Sequence, residues 1–435
     1  MSDWPIRTIA ECADDVPYAT QIGPFGKALT PAAYRPTGVP LLRGVNVNHG
    51  RFHDDDFVFI SEADADRLSK FESFPGDVLL VHKGTLGKIG LMPTTRRFAR
   101  YVMGNSMLRV RCHPERLIPE YLYYWLSSEA GSHYLLSRVS QVGVPQIQRP
   151  LTTLREAQLP VPPLAEQRAI VGVLGALDHK IEQNQRTAQS LERLARAIFR
   201  AWFVDFEPVK AKAAGATAFP AVPQPVFDAL PTRFVDSDIG PVPKGWEVGK
   251  LGDRCGINQR SVRAGEMSGA IEYVDISSVT VGRLTGLQRV PFSEAPSRAR
   301  RRIAHGDTIW SCVRPNHRSH LFIHSPPEKR IVSTGFAVLS PREFGASLLH
   351  EMTTQPEFVD YLVSNADGSA YPAVKPDHFA SAKVVMPPKH LRDAFEEITM
   401  PLRDSLAATE RESTALAEMR DYLLPKLLSG DIRVN

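Results

Sequence analysis

The sequence predicts an α+β protein built twice over: a mainly β globular unit followed by a long helix, then a diverged copy of both. The two helices are expected to pair as an antiparallel coiled coil. Three observations carry this. Landmarks recur in one order, with WPIRTIA at 4–10 answered by WEVGKLG at 246–252, Gly76-Asp77 by Gly306-Asp307, and Pro162-Pro163 by Pro387-Pro388. After each proline pair the apolar spacing turns helical, and one offset of 225 aligns Leu177 with Leu402, Ile181 with Leu406, Leu191 with Leu416 and Trp202 with Leu427. Between the copies lies a proline- and alanine-rich stretch. The boundaries that follow are 1–160 and 246–386 for the globular units, 161–205 and 387–435 for the helical regions, and 206–245 for a linker.

From residue 1 to about 160, short apolar or alternating runs such as GDVLLVH are separated by glycine, proline and aspartate turns, which reads as strands. One helix is expected over 119–136, where Leu122, Trp125 and Leu126 share a face. Tyr121, Tyr123, Tyr124 and Trp125 are assigned to its buried side rather than to base stacking. From Glu166 to Phe203, Ile170, Leu174, Leu177, Ile181, Ala188, Leu191, Ala195, Ile198 and Trp202 alternate at spacings of four and three, with Asn184 at one seam position. Such a helix forms a rod of roughly 57 Å. Pro208 to Pro243 is expected to be a semi-extended connector without a core. The second helix repeats the stripe through Phe395, Ile398, Leu402, Leu406, Leu416, Met419, Leu423 and Leu427, with Pro401 expected to kink or delay it. Because each helix follows its own unit, antiparallel pairing places the units at opposite ends.

Composition narrows the function. With 43% apolar residues and no run of about 18 of them, the chain reads as globular, without a membrane span, and the start MSDWPIRT reads as cytoplasmic rather than secreted. Cys12, Cys112, Cys255 and Cys312 are widely spaced and read as reduced core thiols, with no metal site. A net charge of +4 is weak, but arginines cluster in each copy: Arg96, Arg97 and Arg100, then Arg298, Arg300, Arg301, Arg302, Arg314 and Arg318. The run HKGTLGKIG at 82–90 lacks the first glycine and the final hydroxyl of a phosphate loop. The Pro-Pro pairs read VPPL and MPPK, without the polar residue of an adenine methylase tetrapeptide, and no nuclease or helicase motif is visible. The chain should bind rather than catalyse.

Three segments carry a resemblance. VPPLAEQRAIV at 161–171, with its heptads closing on AIFRAWFVDFEPV, resembles the first conserved region of type I restriction-modification specificity subunits. DSDIGPVPKGWEVGKL at 236–251 is similar to that family's entry into its second target recognition domain, and LLPKLLSGDIRV at 423–434 to its second conserved region. The departure is at 388–392, where PKHLR stands for the proline-leucine-x-glutamate-glutamine of the first copy. The resemblance implies a non-catalytic DNA-reading subunit of a methyltransferase/endonuclease complex. One target recognition domain would read each half of a split double-stranded target, and the helix pair would act as spacer and docking site. Two modification subunits would bring S-adenosylmethionine, and restriction subunits ATP and Mg; this chain itself would bind no cofactor. A non-catalytic coiled-coil scaffold whose repeated domains bind protein is the second reading.

For the site, Lys83, Lys88, Arg96, Arg97, Arg301 and Arg302 are the candidate phosphate contacts. Asn105, Gln146, Gln148, Arg314, Asn316, Arg318, Tyr371 and Lys375, polar, forked or aromatic groups in loop-like stretches, are the candidates for base readout. The helix pair should pack through Ile170, Leu174, Leu177, Ile181, Leu191, Ile198, Trp202, Leu402, Leu406, Leu416, Leu423 and Leu427.

Overall fold

The computed structural model describes residues 3–48, 51–140, 143–263, 265–368 and 371–434. The chain divides into two compact units, residues 1–182 with 413–435, and residues 183–412, so each unit takes one globular copy and a stretch of each long helix.

In the first unit a four-stranded antiparallel sheet runs in the order Thr20–Ile22, Met107–Val110, Val78–Val81, Ile89–Leu91. All four residues of Val78–Val81 are buried, because the strand lies between two cores. Val78 and Leu80 point into one with Leu108, Tyr121 and Trp125, while Leu79 and Val81 point into the other with Leu41 and Tyr101, the period of two expected of a strand. A smaller sheet pairs Val39–Leu42 antiparallel with Val58–Ile60 and parallel with Val102–Met103. Ile6–Thr8 and Gln158–Pro160 then pair, joining the unit's entry to its exit just before the long helix begins.

The second unit repeats this plan. Its four-stranded sheet runs Gly256–Ile257, Phe336–Ser340, Thr308–Ser311, His320–Phe322, and Glu247–Lys250 pairs with Lys383–Met386 at its exit. Its smaller sheet again contains one parallel pair, Ala270–Val274 with Arg330–Ser333, but gains a strand, Ala299–Arg302.

The Gly-Asp landmarks are explained by buried carboxylates. Asp77 accepts from the Phe74 amide at 2.8 Å and from Arg111 Nε and Nη2 at 2.8 and 3.1 Å. Asp307 accepts from the Ala304 amide at 2.7 Å and from Arg260 Nη2 at 2.7 and 2.6 Å. In both copies the glycine carries a positive φ that makes the turn.

Tyr121, Tyr123, Tyr124 and Trp125 are buried, as expected. The single helix expected over 119–136 is instead two, Pro119–Ser127 and Glu129–Leu136, because extended Ser128 caps the second and its Oγ accepts from the Gly131 amide at 3.4 Å. The second copy breaks likewise, into Ala346–Thr354 and Pro356–Ser364.

The long helices run Leu164–Phe199, continued by a π-helical turn at Arg200–Val204, and Lys389–Ser429. Contrary to expectation, Pro401 does not delay the second. Its first turns are fixed by buried Leu391 and Phe395, and a proline inside a packed helix removes only one backbone hydrogen bond. Within the first unit, Ile170 and Leu174 share a core with Leu427 and Leu428, and Arg420 Nη1 donates to Asp178 at 2.9 Å. Within the second, Asn184 donates to Glu412 at 2.8 Å and Phe199 meets Phe395 with ring centres 6.0 Å apart. In both, rising numbers on one helix meet falling numbers on the other, so the pairing is antiparallel. Ile170, Leu174, Ile181, Trp202 and Leu427 are buried, while Leu177, Leu191, Ile198, Leu402, Leu406, Leu416 and Leu423 are half-buried. Met419, placed on the stripe, is exposed instead.

The linker expectation is also corrected. Helices Glu207–Ala213 and Gln224–Ala229 form with a proline in the first turn of each, and Phe234–Val235 pairs with Val242–Pro243. Val209, Val222, Phe227 and Leu230 are buried in one core with Trp202, Phe203 and Trp246. The proline count predicted an extended chain, but those prolines start helices and the apolar residues between them build a core. Among the described residues no helix is long and apolar enough to cross a membrane. Cys12, Cys112 and Cys255 are buried free thiols, and Cys312 is half-buried.

Candidate nucleic-acid interface

In each unit the loops at one end of the central sheet are fastened together by the same backbone hydrogen bonds. After the first unit's central strand, the His82 amide donates to the Ser106 carbonyl at 2.9 Å, the Ile147 amide to His82 at 2.9 Å, and the Gly84 amide to Pro145 at 2.9 Å. In the second, the Cys312 amide donates to Gly335 at 2.9 Å, Val374 to Cys312 at 2.8 Å, and Arg314 to Pro372 at 2.7 Å. Isolated bridges Lys83 to Gln146 and Val313 to Ala373 complete the match.

This end of the first unit gathers Lys83, Lys88, Asn105, Gln146 and Gln148. Lys83, Asn105, Gln146 and Gln148 are exposed, and His82 Nε2 lies 3.1 Å from the Asn105 carbonyl. Burial lowers the His82 imidazole below its ordinary range, so it serves as a neutral support. Lys88 is half-buried and donates to the Gly44 carbonyl at 3.1 Å, which ties its ammonium to the neighbouring loop. Arg96 and Arg97 belong elsewhere: the Arg97 amide donates to Asp54 at 3.0 Å and its guanidinium lies over Phe98, beside the smaller sheet. Arg100 is bound by Glu62, Asp66 and Glu72, a structural use of one arginine in that cluster.

At the same end of the second unit stand Arg314, Asn316, Arg318, Tyr371 and Lys375. Asn316, Arg318, Tyr371 and Lys375 are exposed, and the Arg314 guanidinium lies over the Tyr371 ring at 4.7 Å. Lys375 Nζ is 3.4 Å from Asp367. Arg301 and Arg302 are half-buried neighbours on the added strand, so their side chains leave opposite faces. Desolvation holds the Arg301 guanidinium below its ordinary range, and the nearby Cys312 opposes that shift, so of the two Arg301 is the one close to the loop end.

Two arginines that belong to this arrangement were missed in the sequence. Arg138 lies over Tyr134 at 3.9 Å, and its carbonyl accepts from the Gln148 amide at 2.9 Å. Arg149 is exposed with a left-handed backbone, φ +41, directly before Pro150. The Arg-Pro pairs at 149–150 and 314–315 were the available signal, since both arginines take the left-handed conformation before a proline that opens a helical turn.

The sequence pattern of the type I restriction modification DNA specificity domain matches residues 36–193. The chain is 24% identical over 398 residues to the type I restriction enzyme MjaIX specificity subunit of Methanocaldococcus jannaschii, covering 87% of this chain and 84% of that one. It is 23% identical over 431 residues to the HindI specificity subunit of Haemophilus influenzae, covering 84% and 90%. By pattern over residues 36–193, and by these relatives over most of its length, the chain is similar to type I restriction-modification specificity subunits. Its fold is that of the specificity subunit from M. genitalium, with a TM-score of 0.59 over 98% of this chain and 96% of that one, at 16% identity.

Proposed function

We propose that this chain is a specificity subunit that reads a bipartite double-stranded DNA target, one half-site per globular unit. The observation that carries this is the duplicated loop end: two matched frameworks, each bearing a different exposed set of polar and basic side chains. A framework repeated with altered side chains suits two readings of one kind of polymer. The helix pair serves as spacer and as docking face for two modification subunits. S-adenosylmethionine binds to those subunits, while ATP and Mg are used by restriction subunits that join them; this chain supplies no catalytic group. The complex works in the cytoplasm, where its DNA lies. Lys83, the loop amides beside it and Arg301 are the phosphate contacts favoured by their placement, and Asn105, Gln146, Gln148, Arg314, Asn316 and Arg318 are the base readers.

The test is to express the chain with its modification partner and map methylated sites. Methylation at one split motif, lost when this chain is omitted, is the expected result, with affinity that falls steeply as salt rises. Binding to a protein partner with no motif and no salt-sensitive DNA affinity would favour a scaffold instead.

A further inference from the structure

One side chain at the second loop end has its backbone, its ring partner and its donors arranged for a single kind of ligand; the argument rests on the DNA-reading function proposed above. Arg314 has φ +52, a conformation that opposes any side chain with a Cβ. At the matching position the first unit has Gly84, φ +90, the residue such a turn ordinarily takes. An arginine is thus held where glycine would be easier, although the backbone bond to a proline carbonyl is the same in both copies.

The side chain is also constrained. Its guanidinium lies 4.7 Å over Tyr371, a ring 69% exposed and therefore not part of the core. Among the described residues no carboxylate faces it, whereas Arg111, Arg260, Arg330 and Arg420 each meet one. Lys375, another cation of this loop end, already has Asp367. What remains is a planar fork of donors with one face covered and no carboxylate partner among the described residues. Two acceptors side by side in one plane complement it, and in the major groove those are O6 and N7 of guanine; adenine puts a donor beside N7. A phosphate also takes a bidentate fork from arginine, but it carries no base identity, so a series of single base-pair changes separates the two targets.

We propose that Arg314, held flat on Tyr371, reads a guanine in the half-site bound by the second unit.

The experiment uses the complex of this chain with its modification partner. Affinity is measured for the mapped target and for duplexes changed at each single base pair, at two salt concentrations. Arg314→Gly is the principal variant, because Gly84 occupies the same turn without difficulty. It should weaken the target about tenfold to hundredfold and make binding indifferent to one G·C pair in one half-site. Arg314→Lys should keep the charge without restoring that preference. Tyr371→Phe, which keeps the ring, should behave as wild type, and Tyr371→Ala should lose part of the discrimination.

Uniform weakening across all duplexes, with the salt slope lowered by about one, would make Arg314 a phosphate contact and overturn the guanine assignment while leaving the DNA-reading function intact. Unchanged affinity and preference in Arg314→Gly would overturn it as well, as would a half-site lacking any G·C pair. A wild-type complex with no sequence preference would overturn the parent function, and this assignment with it.

Discussion

The turns after the two central strands are fastened by the same backbone hydrogen bonds and differ in the side chains they present. At 82–88 the left-handed positions are Gly84 and Gly87, with no atom near where a Cβ would stand. At 312–318 they are Arg314 and Arg318, φ +52 and +55. The bonds that fasten each turn to its neighbours run through backbone groups, which is why the side chains can change without moving the loop. Backbone specifies the platform, and the platform leaves the choice of reading residues free. The proposed reading of two different half-sites on one scaffold calls for that separation.

The same contrast appears where each unit grips its long helix. In the first, buried Gln167 accepts from the Ile118 amide at 2.8 Å and donates to the Arg116 and Pro162 carbonyls at 3.1 and 2.8 Å. The position 225 residues on is Arg392, which donates to the Glu343 carbonyl, so the altered PKHLR junction keeps the grip with a different donor. One turn and more along, Tyr124 donates to Asp178 at 2.8 Å, and Asp178 also meets half-exposed Arg420. The counterpart in the second unit is a buried ion pair, Arg403 with Glu351.

The largest expected effect breaks this pair. Arg403→Ala leaves the Glu351 carboxylate buried without its partner and should destabilise the second unit by about 3 to 5 kcal/mol, whereas Arg420→Ala, at a pair open to water, should cost the first about 1 kcal/mol or less. Burial already pushes the Glu351 carboxyl up despite Arg403 beside it, so the variant should take up a proton at that site. Hydrogen exchange resolved along the chain separates the two units. Equal losses in both variants would show that burial does not distinguish the two grips.

Next comes the segment joining the copies. Phe227→Ala should cost about 3 kcal/mol or more, measured by denaturant unfolding, because Phe227 is 1% exposed in the core with Trp202 and Trp246. Scrambling 214–218, exposed throughout, should cost nearly nothing. A silent Phe227→Ala would return this segment to the status of a connector.

Acid should separate the units further. Burial depresses His320 to about 4, and burial, with Arg403 nearby, depresses His350 well below its ordinary range. Both fold as neutral rings, so their stability is fully present above the unfolded value of 6.5. It is lost as pH falls from there toward 4, where the unfolded chain takes up protons that the folded chain refuses. For His320 the loss is of the order of 3 kcal/mol. Exchange protection in the second unit should fall first as pH drops, and His320→Phe should flatten that dependence; an unchanged profile would mean that His320 does not carry it.

Much of this architecture is legible in the sequence because it rests on periodicity. The duplication, the antiparallel helices and the buried Tyr121 to Trp125 face are all patterns of spacing. What was hidden depends on what a residue does rather than on its type. Prolines 208 and 225 start helices instead of extending a chain, Ser128 ends one helix by capping the next, and Pro401 is overridden by the packing upstream of it. At the site, composition chose the arginine-rich stretches, yet Arg100 is spent on carboxylates and Arg97 lies by the smaller sheet. Arg138 and Arg149, isolated in sequence, reach the loop end only through the hairpin Val139–Ser140 with Gln146–Ile147.

The smallest effect concerns the left-handed position of the two turns. If the two turns share one backbone, exchanging the residue types at the left-handed position should move stability in opposite directions. Gly84→Ala forces a Cβ onto φ +90 and should cost about 1 kcal/mol, although nothing lies near enough to clash. Arg314→Gly relieves that conflict at φ +52, but it frees the unfolded chain and removes the contact with Tyr371, so the gain should be smaller, a few tenths of a kcal/mol at most. Denaturant midpoints read with a probe in each unit distinguish these shifts. A stabilising Gly84→Ala would mean that the first turn does not hold its left-handed backbone in solution, and a strongly destabilising Arg314→Gly would make Arg314 a structural member of its loop rather than a side chain held there for what it can bind.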